Sequence, residues 1–208
     1  MLRIIVILGL ALGVAGCGVV SSERPLFTAA DSVGAPVLRP GLWAIIEPAC
    51  KFNPRSPAAS WPKCVSAAVV GPSTLVDVKR SDDESAFEPT VQTYRLVAGD
   101  PVVVQIQTPP ELGAFYYGLR PMASDGQGRI TNVRFWYARC EAPTPVGDTA
   151  KRRKLLTGLY PIKGQEAGCL ARTPAAVRNA VRLSEAWAFD GGTDEAGGAV
   201  RWIRNGDR

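Results

Sequence analysis

The chain contains 208 residues, with 24 lysines and arginines, 19 aspartates and glutamates, and no histidine. Without histidine it lacks the commonest general base, the usual Ser-His and Cys-His nucleophile pairs and the commonest zinc ligand. The formal net charge of +5 is mild and does not by itself predict a nucleic-acid partner. Length and composition therefore favour one non-catalytic domain with no nucleic-acid partner, no cofactor and no metal site.

The first residues have the pattern of a cleaved export signal. A short basic start, Met1-Leu2-Arg3, precedes an uncharged apolar run from Ile4 to Val14. This run has the length of a signal-peptide core and is too short to span a bilayer. We therefore predict that residues 1–16 are a signal peptide, with an uncleaved anchor helix as the alternative.

The residues Val14-Ala15-Gly16-Cys17 resemble the lipobox of bacterial lipoproteins, in which an apolar residue and two small residues precede a cysteine. The resemblance implies that the chain is cut before Cys17, that the Cys17 thiol carries a diacylglycerol, and that the new amine is acylated. Two or three acyl chains hold a protein stably on a membrane. Gly18 stands where lipoproteins of the inner membrane often have aspartate, so the resemblance favours the periplasmic side of the outer membrane. A non-lipidated signal peptide with an accidental cysteine is the alternative.

Residues 17–39 are rich in Ser, Ala, Gly and Pro and show no sustained periodicity. This composition predicts a lipid-anchored tether, which if flexible would hold the domain roughly 25 Å from the membrane, taking ~5–6 Å × √n. Leu26 and Phe27 are apolar enough to pack on the domain or on the bilayer surface instead. A single β-rich, disulfide-braced domain is predicted over residues 40–208.

Short apolar or alternating runs, bounded by turn residues, predict a series of antiparallel strands in this domain. The predicted strands cover residues 42–46, 65–70, 74–78, 91–97, 102–108, 113–119, 129–139, 155–162 and 199–203. In the fifth strand, valine and isoleucine alternate with Gln105 and Gln107, which predicts that one side of this strand faces solvent.

The end of the chain carries one helix signal. Thr173-Pro174 supplies a capping side chain and a first-turn proline, the residues Ala175–Phe189 have helical apolar spacing, and Asp190-Gly191-Gly192 ends the helix. The predicted fold is therefore mainly β, an antiparallel sheet arranged as a barrel or a sandwich of about eight strands, with one C-terminal helix.

The step Gly41-Leu42-Trp43, the run of hairpins, and the late helix followed by a strand are together similar to the layout of lipocalins, whose first strand carries Gly-x-Trp. The resemblance implies a barrel that carries a small apolar ligand. The chain departs from this family in lacking its Thr-Asp-Tyr motif. The alternative is that Trp43 is a core residue of another antiparallel sheet.

Four cysteines follow Cys17, and no two of them form a CxxC pair. An even number in an exported chain indicates two disulfides rather than a redox or zinc motif. The chain between Cys50 and Cys64 and the chain between Cys140 and Cys169 each contain a stretch bearing Pro or Gly that a bridge would hold in place. We therefore predict that each pair forms a disulfide. Four cysteines allow three connectivities, so the other two remain open.

Three further stretches could contact other molecules. The hairpin around Asp125-Gly126-Gln127-Gly128 has the densest aromatic cluster, while Lys151-Arg152-Arg153-Lys154 is a basic run and Asp82-Asp83-Glu84 an acidic one. The basic run could touch anionic lipid head groups, but charge runs of both signs are more often solvated loops. The aromatic residues of the hairpin are Phe115, Tyr116, Tyr117, Phe135, Trp136 and Tyr137.

These features predict an outer-membrane lipoprotein that faces the periplasm, is held by lipid on Cys17, and has a non-catalytic binding or structural role in the envelope. Its partner would be an envelope protein, engaged for example through the aromatic hairpin, or a small apolar ligand. The alternatives are a lipocalin-like carrier and an unusual enzyme that works through carboxylates, Tyr or Arg alone.

Overall fold

The computed structural model describes residues 18–79, 81, 89, 91–107, 113–141, 154–164, 168–190 and 197–206. The strands are β1 (Val20–Ser22), β2 (Gly41–Ile46), β3 (Val65–Val70), β4 (Thr74–Asp77), β5 (Val91–Val97), β6 (Val102–Gln107), β7 (Ala114–Ser124), β8 (Ile130–Tyr137), β9 (Leu159–Pro161), β10 (Cys169–Ala171) and β11 (Gly197–Arg204), and the helix is α1 (Pro174–Asp190).

Eight of these strands close into an antiparallel barrel. The strands β2 to β8 follow one another as antiparallel neighbours, and β11 closes the circle by pairing with both β8 and β2. Successive residues of a strand point to opposite faces, so each strand alternates between the barrel interior and its outer surface. The predicted fold class is confirmed, and the open choice between barrel and sandwich is settled as a barrel.

The other three strands form a small sheet beside the barrel. In it, β1 pairs in parallel with β10, β10 pairs with β9, and β1 also pairs with the first residues of β7. The long strand predicted over residues 155–162 is shorter in the structure, since only Leu159–Pro161 is strand and Leu155 forms a single bridge with Glu141.

The predicted helix is confirmed as α1, and it packs on the outer surface of β7 and β8. The Thr173 hydroxyl accepts a hydrogen bond from the Ala176 backbone N–H at 3.3 Å, the cap that the sequence predicts. The indole N–H of Trp136 donates to the carbonyl of Val181 at 2.8 Å, and both side chains are fully buried. This contact places α1 directly over Gly118, the neighbour of Trp136 on β7.

Residues 18–39 differ from the predicted tether, because they belong to the fold. Val20 and Phe27 are buried, with 0% and 2% of their surfaces exposed. The backbone N–H groups of Leu26 and Phe27 both donate to the side-chain carbonyl of Gln105 at 2.9 Å. A composition typical of a flexible linker is therefore ordered by apolar burial and by hydrogen bonds to distant residues, and the domain includes Gly18 rather than beginning at Pro40.

The same contacts correct the prediction for β6. Gln105, expected on a solvent-facing side, has 1% of its surface exposed and also donates to the carbonyl of Phe27 at 3.2 Å. A buried amide needs hydrogen-bond partners, and the 26–27 segment supplies them. The polar side of β6 is thus covered by the chain that precedes the barrel.

The structure joins Cys50 to Cys64 and Cys140 to Cys169, the pairs that locality predicts. The first bridge closes a loop that packs on the outer surface of β2 and β3, where Trp61 is buried and its ring meets that of Phe52 at 4.8 Å between centroids. The second bridge ties the chain after β8 to the side sheet.

Candidate ligand-binding site

The interior of the barrel is divided into two halves that differ in solvent access. Near the start of β2 the interior is filled by buried apolar side chains, and we call this part the plugged half. Near the end of β2 the interior side chains are partly or largely exposed, and we call this part the open half. The plugged half contains Trp43, Val70, Leu96, Val102, Leu119, Ile130 and Val133, packed against Ala35, Leu38, Leu75, Tyr94, Val104, Val200 and Trp202.

The plug is the chain just before β2. Leu38 forms a parallel bridge with Ile130, and the backbone N–H of Arg39 donates to the Ile130 carbonyl at 2.9 Å. The Arg39 carbonyl accepts a hydrogen bond from the indole N–H of Trp43 at 2.8 Å. The Arg39 guanidinium lies 3.6 Å from the ring centre of Trp202. These contacts hold the 35–40 segment across one end of the barrel.

The open half is lined by side chains that alternate with the outward ones. Cross-strand pairs such as Tyr117 with Tyr137 and Ile45 with Ser66 fix which residues share the interior face. None of these residues is fully buried, which indicates that solvent reaches the interior here. The interior residues of the open half are Ile45, Ser66, Asp77, Gln92, Ile106, Phe115, Tyr117, Phe135 and Tyr137.

This alternation divides the six aromatic residues of the hairpin between the outer and inner faces of the barrel wall. Tyr116 and Trp136 point outward and are fully buried, Tyr116 against Phe27 and Trp136 under α1. The other four aromatic residues of the hairpin point into the open half. The hairpin therefore does not present its six rings as one exposed surface patch.

Tyr117 and Tyr137 form the aromatic wall of the open half. Their ring centroids lie 5.1 Å apart at an interplanar angle of 45°, and Phe135 lies 6.5 Å from Tyr137. Burial raises the pKa of Tyr117 well above its usual value, and the neighbouring Tyr137 and Asp77 raise it further. Tyr117 therefore stays protonated and neutral at physiological pH.

Asp77 supplies the negative charge of the open half. It is the last residue of β4 and pairs with Ala68, whose other neighbour is the interior residue Trp43. Its effect on the pKa of Tyr117, which lies on β7 across the barrel, agrees with this inward orientation. The Asp77 residue is exposed to solvent, and partial desolvation raises the pKa of its carboxyl because it disfavours the charged form.

Two depressions lie outside the open half. One, of about 260 Å³, separates α1 from the turn after β5 and is lined by Asp100, Pro101, Arg178, Asn179 and Arg182. The other, of about 250 Å³, lies at the plugged end beside Tyr94 and Leu96. Both are smaller than the ~300 Å³ that small-molecule sites usually enclose. We choose the open half as the candidate site because its interior side chains are accessible to solvent.

The remaining predicted site residues are placed as follows. Cys17, the signal peptide before it and the acidic run 82–84 lie outside the described residues. Of the basic run, Lys154 is described and is exposed, while 151–153 lie outside as well. Sequence reasoning missed Asp77 as an interior residue, because Val76 and Val78 make the opposite face of β4 look like the buried one.

Within the described part of the chain, no three acidic or cysteine side chains come together in a way that could hold a metal ion. No helix among the same residues has the length and apolar character needed to cross a membrane.

The fold and the site define a class: a closed, eight-stranded antiparallel barrel with one plugged end, an open aromatic half and a helix on its outer wall. Comparison with protein-family models, curated proteins and solved structures gives no match for this chain.

Proposed function

We propose that this chain is an outer-membrane lipoprotein, anchored through Cys17 and facing the periplasm, that binds a small molecule in the open half of its barrel. The observation that carries the proposal is the asymmetry of the interior. One half is filled with buried side chains, and the other keeps aromatic side chains accessible to solvent. Exposed apolar surface in a concave wall is a common mark of a binding site.

The anchor is supported by the lipobox residues and by the position of Gly18. The Gly18 carbonyl accepts a hydrogen bond from the backbone N–H of Cys140 at 2.7 Å, and the next residue, Val19, is buried. A lipid on Cys17 would therefore be attached one residue from the folded chain. Without a tether, the barrel would rest directly on the membrane surface instead of standing roughly 25 Å away, the reach of a flexible linker of this length.

A binding role inside the barrel is favoured over a surface role for the aromatic hairpin. Outward-pointing Tyr116 and Trp136 are already covered by Phe27 and α1 and cannot meet a partner. The carrier suggested by the resemblance to lipocalins is thus better supported than an interaction protein that works through this hairpin. Catalysis is not part of the proposal.

The proposal is tested by purifying the lipoprotein from its own envelope and measuring the intact folded protein by native mass spectrometry. We expect a bound small molecule that is lost on denaturation. A variant that fills the open half, Ser66→Trp, should lack the molecule. The matched control Val69→Trp places the same side chain on the outer side of the same strand, where Val69 is 38% exposed, and should keep the molecule. The same added mass on all three proteins, or no added mass on any of them, would contradict the proposal.

A further inference from the structure

Strand β8 runs from the plugged end of the barrel to the open end. Its first residue, Ile130, forms a bridge with Leu38 of the plug, and its last residue, Tyr137, lines the open half. Successive residues of an extended strand advance by about 3.3 Å in one direction. The chain that follows Tyr137 therefore leaves the barrel at the open end.

Gly18, the first residue that the structure describes, lies beside this chain. The Gly18 carbonyl accepts a hydrogen bond from the backbone N–H of Cys140 at 2.7 Å, and the N–H of Val20 donates to the Ala138 carbonyl at 2.8 Å. Because the two segments run antiparallel, Gly18 lies farther past the open end than Val20 does. Cys140 follows Tyr137 by three residues, which places Gly18 about 10 Å beyond Tyr137 along the direction of β8.

The proposed anchor and the open half are therefore at the same end of the molecule. Consecutive Cα atoms are about 3.8 Å apart, so a lipid on Cys17 would be attached beside the open end. The plugged end carries ion pairs instead, since Asp125 pairs with Arg129 at 2.8 Å and with Arg39 at 3.8 Å. Charged side chains favour contact with water. The anchored molecule would thus turn its open half toward the membrane and its plugged end away from it.

The interior of the open half has two sides of different character. Strands β6, β7 and β8 are neighbours in the barrel, and together they form an apolar side that includes the aromatic wall. Strands β3, β4 and β5 form a polar side opposite it. An apolar chain and a polar group need these two kinds of surroundings, so the interior fits an amphipathic molecule. The apolar side consists of Ile106, Phe115, Tyr117, Phe135 and Tyr137, and the polar side of Ser66, Asp77 and Gln92.

We propose that the ligand of the open half is an acyl-chain lipid that enters from the membrane to which the protein is anchored. The acyl chain would lie against the apolar side, and the head group would face Ser66 and Gln92, which donate and accept hydrogen bonds. Transfer from a facing bilayer would expose little of the chain to water. This inference rests on the proposed anchor and binding role, and it adds the chemical class of the ligand and its source.

The test uses the purified lipoprotein in phospholipid vesicles. The probe is phosphatidylethanolamine with deuterated acyl chains, a two-chain lipid that moves slowly between vesicles. It is placed either in the vesicles that carry the protein or in separate vesicles. The protein is then extracted in mild detergent, and native mass spectrometry counts the probe molecules that are lost on denaturation. We expect the wild-type protein to carry the probe from its own vesicles and not from the separate ones.

A matched pair of variants tests the part assigned to the apolar side. Tyr137→Asn should lower the amount of bound probe about tenfold, because a polar amide replaces one of the rings that contact the chain. The control Tyr160→Asn removes an exposed tyrosine of the side sheet, outside the barrel, and should leave the amount unchanged. Circular dichroism of each variant establishes that it is folded.

A wild-type protein that carries no probe from its own vesicles would overturn the lipid inference, and the native mass measurement on envelope-derived protein decides separately whether the open half binds another molecule. Equal loading from the two vesicle populations would overturn entry from the anchoring membrane. Equal loading of the wild type and Tyr137→Asn would overturn the role of the apolar side. A protein that does not float with the vesicles would overturn the anchor and, with it, the membrane as the source.

Discussion

At the scale of single residues, Gly118 and Asp77 make opposite contributions to the stability of the barrel. Gly118 lies beneath the indole of Trp136, and a methyl group there would overlap the ring. Asp77 has the opposite character, because it places an exposed carboxylate on the interior face of β4, where desolvation raises its pKa. The first residue serves packing, whereas the second adds a charge to the accessible half of the interior.

We predict that Gly118→Ala destabilises the protein by about 1–3 kcal/mol, the usual cost of forcing extra volume into a packed site. The Trp136 ring would have to move, and its hydrogen bond to the Val181 carbonyl on α1 would be strained. Gly126→Ala is the matched control, since no atom lies within 4 Å of an added methyl there. Chemical denaturation measures both, and equal stabilities for the two variants would contradict the packing of α1 on β7.

Asp77→Asn is predicted to raise the melting temperature at pH 7. Folding raises the pKa of this carboxyl, so the folded state binds its proton more tightly than the unfolded state does. The favourable contribution of this group is therefore present below its ordinary pKa of 3.8 and is lost as the pH rises through the folded value. Thermal melts should show a gain at pH 7 that disappears near pH 3; a loss of stability at pH 7 would show that Asp77 has a stabilising partner.

At the scale of elements, local patterns predict much of what the structure contains. Period-two alternation and turn residues locate β2 to β8, and Thr173-Pro174 marks the start of α1. The missed features depend on contacts between residues far apart in sequence. Gln105 is buried because the 26–27 segment, 78 residues away, covers it, and no local pattern on β6 carries that information. The apolar pairs Val19-Val20 and Leu26-Phe27 were the available signal that this segment packs.

The bridge between Cys140 and Cys169 holds the side sheet to the end of the barrel wall. Replacing both cysteines with serine should cost about 2–4 kcal/mol, the typical contribution of a disulfide that closes a loop of this size. The loss follows from the freedom that the unfolded chain regains and from placing polar groups at two buried positions, which are 2% and 0% exposed. Urea unfolding measures the change. A double variant as stable as the wild type would mean that the side sheet is held by its other contacts.

At the scale of the whole molecule, the barrel combines one plugged end with an accessible interior at the other. Closure depends on β11 pairing with β2, two segments at opposite ends of the domain, and sequence periodicity alone could not choose this barrel over a sandwich. The 35–40 segment then crosses one end of the barrel as a plug, while β1 joins the side sheet. The stretch predicted as a tether thus closes one half of the interior instead of acting as a spacer.

Replacing Cys17 with serine should abolish membrane attachment and leave the signal uncleaved or misprocessed, because the thiol is the group that accepts the diacylglycerol in the lipoproteins that the lipobox resembles. Fractionation of cells would find the variant outside the outer-membrane fraction. Mass spectrometry of the wild-type N-terminal peptide is the direct check, and an unmodified start at another residue would refute the anchor.

The most direct test of the open half is fluorine NMR on protein whose five tyrosines are replaced by 3-fluorotyrosine. The small molecules released by denaturing the envelope-derived protein are added, and single Tyr→Phe variants assign the signals. We predict that they shift the signals of Tyr117 and Tyr137, while Tyr116, buried outside the barrel, and Tyr160, exposed on the side sheet, stay unchanged. Unchanged signals from Tyr117 and Tyr137, with a shift only at Tyr160, would contradict a binding site inside the barrel.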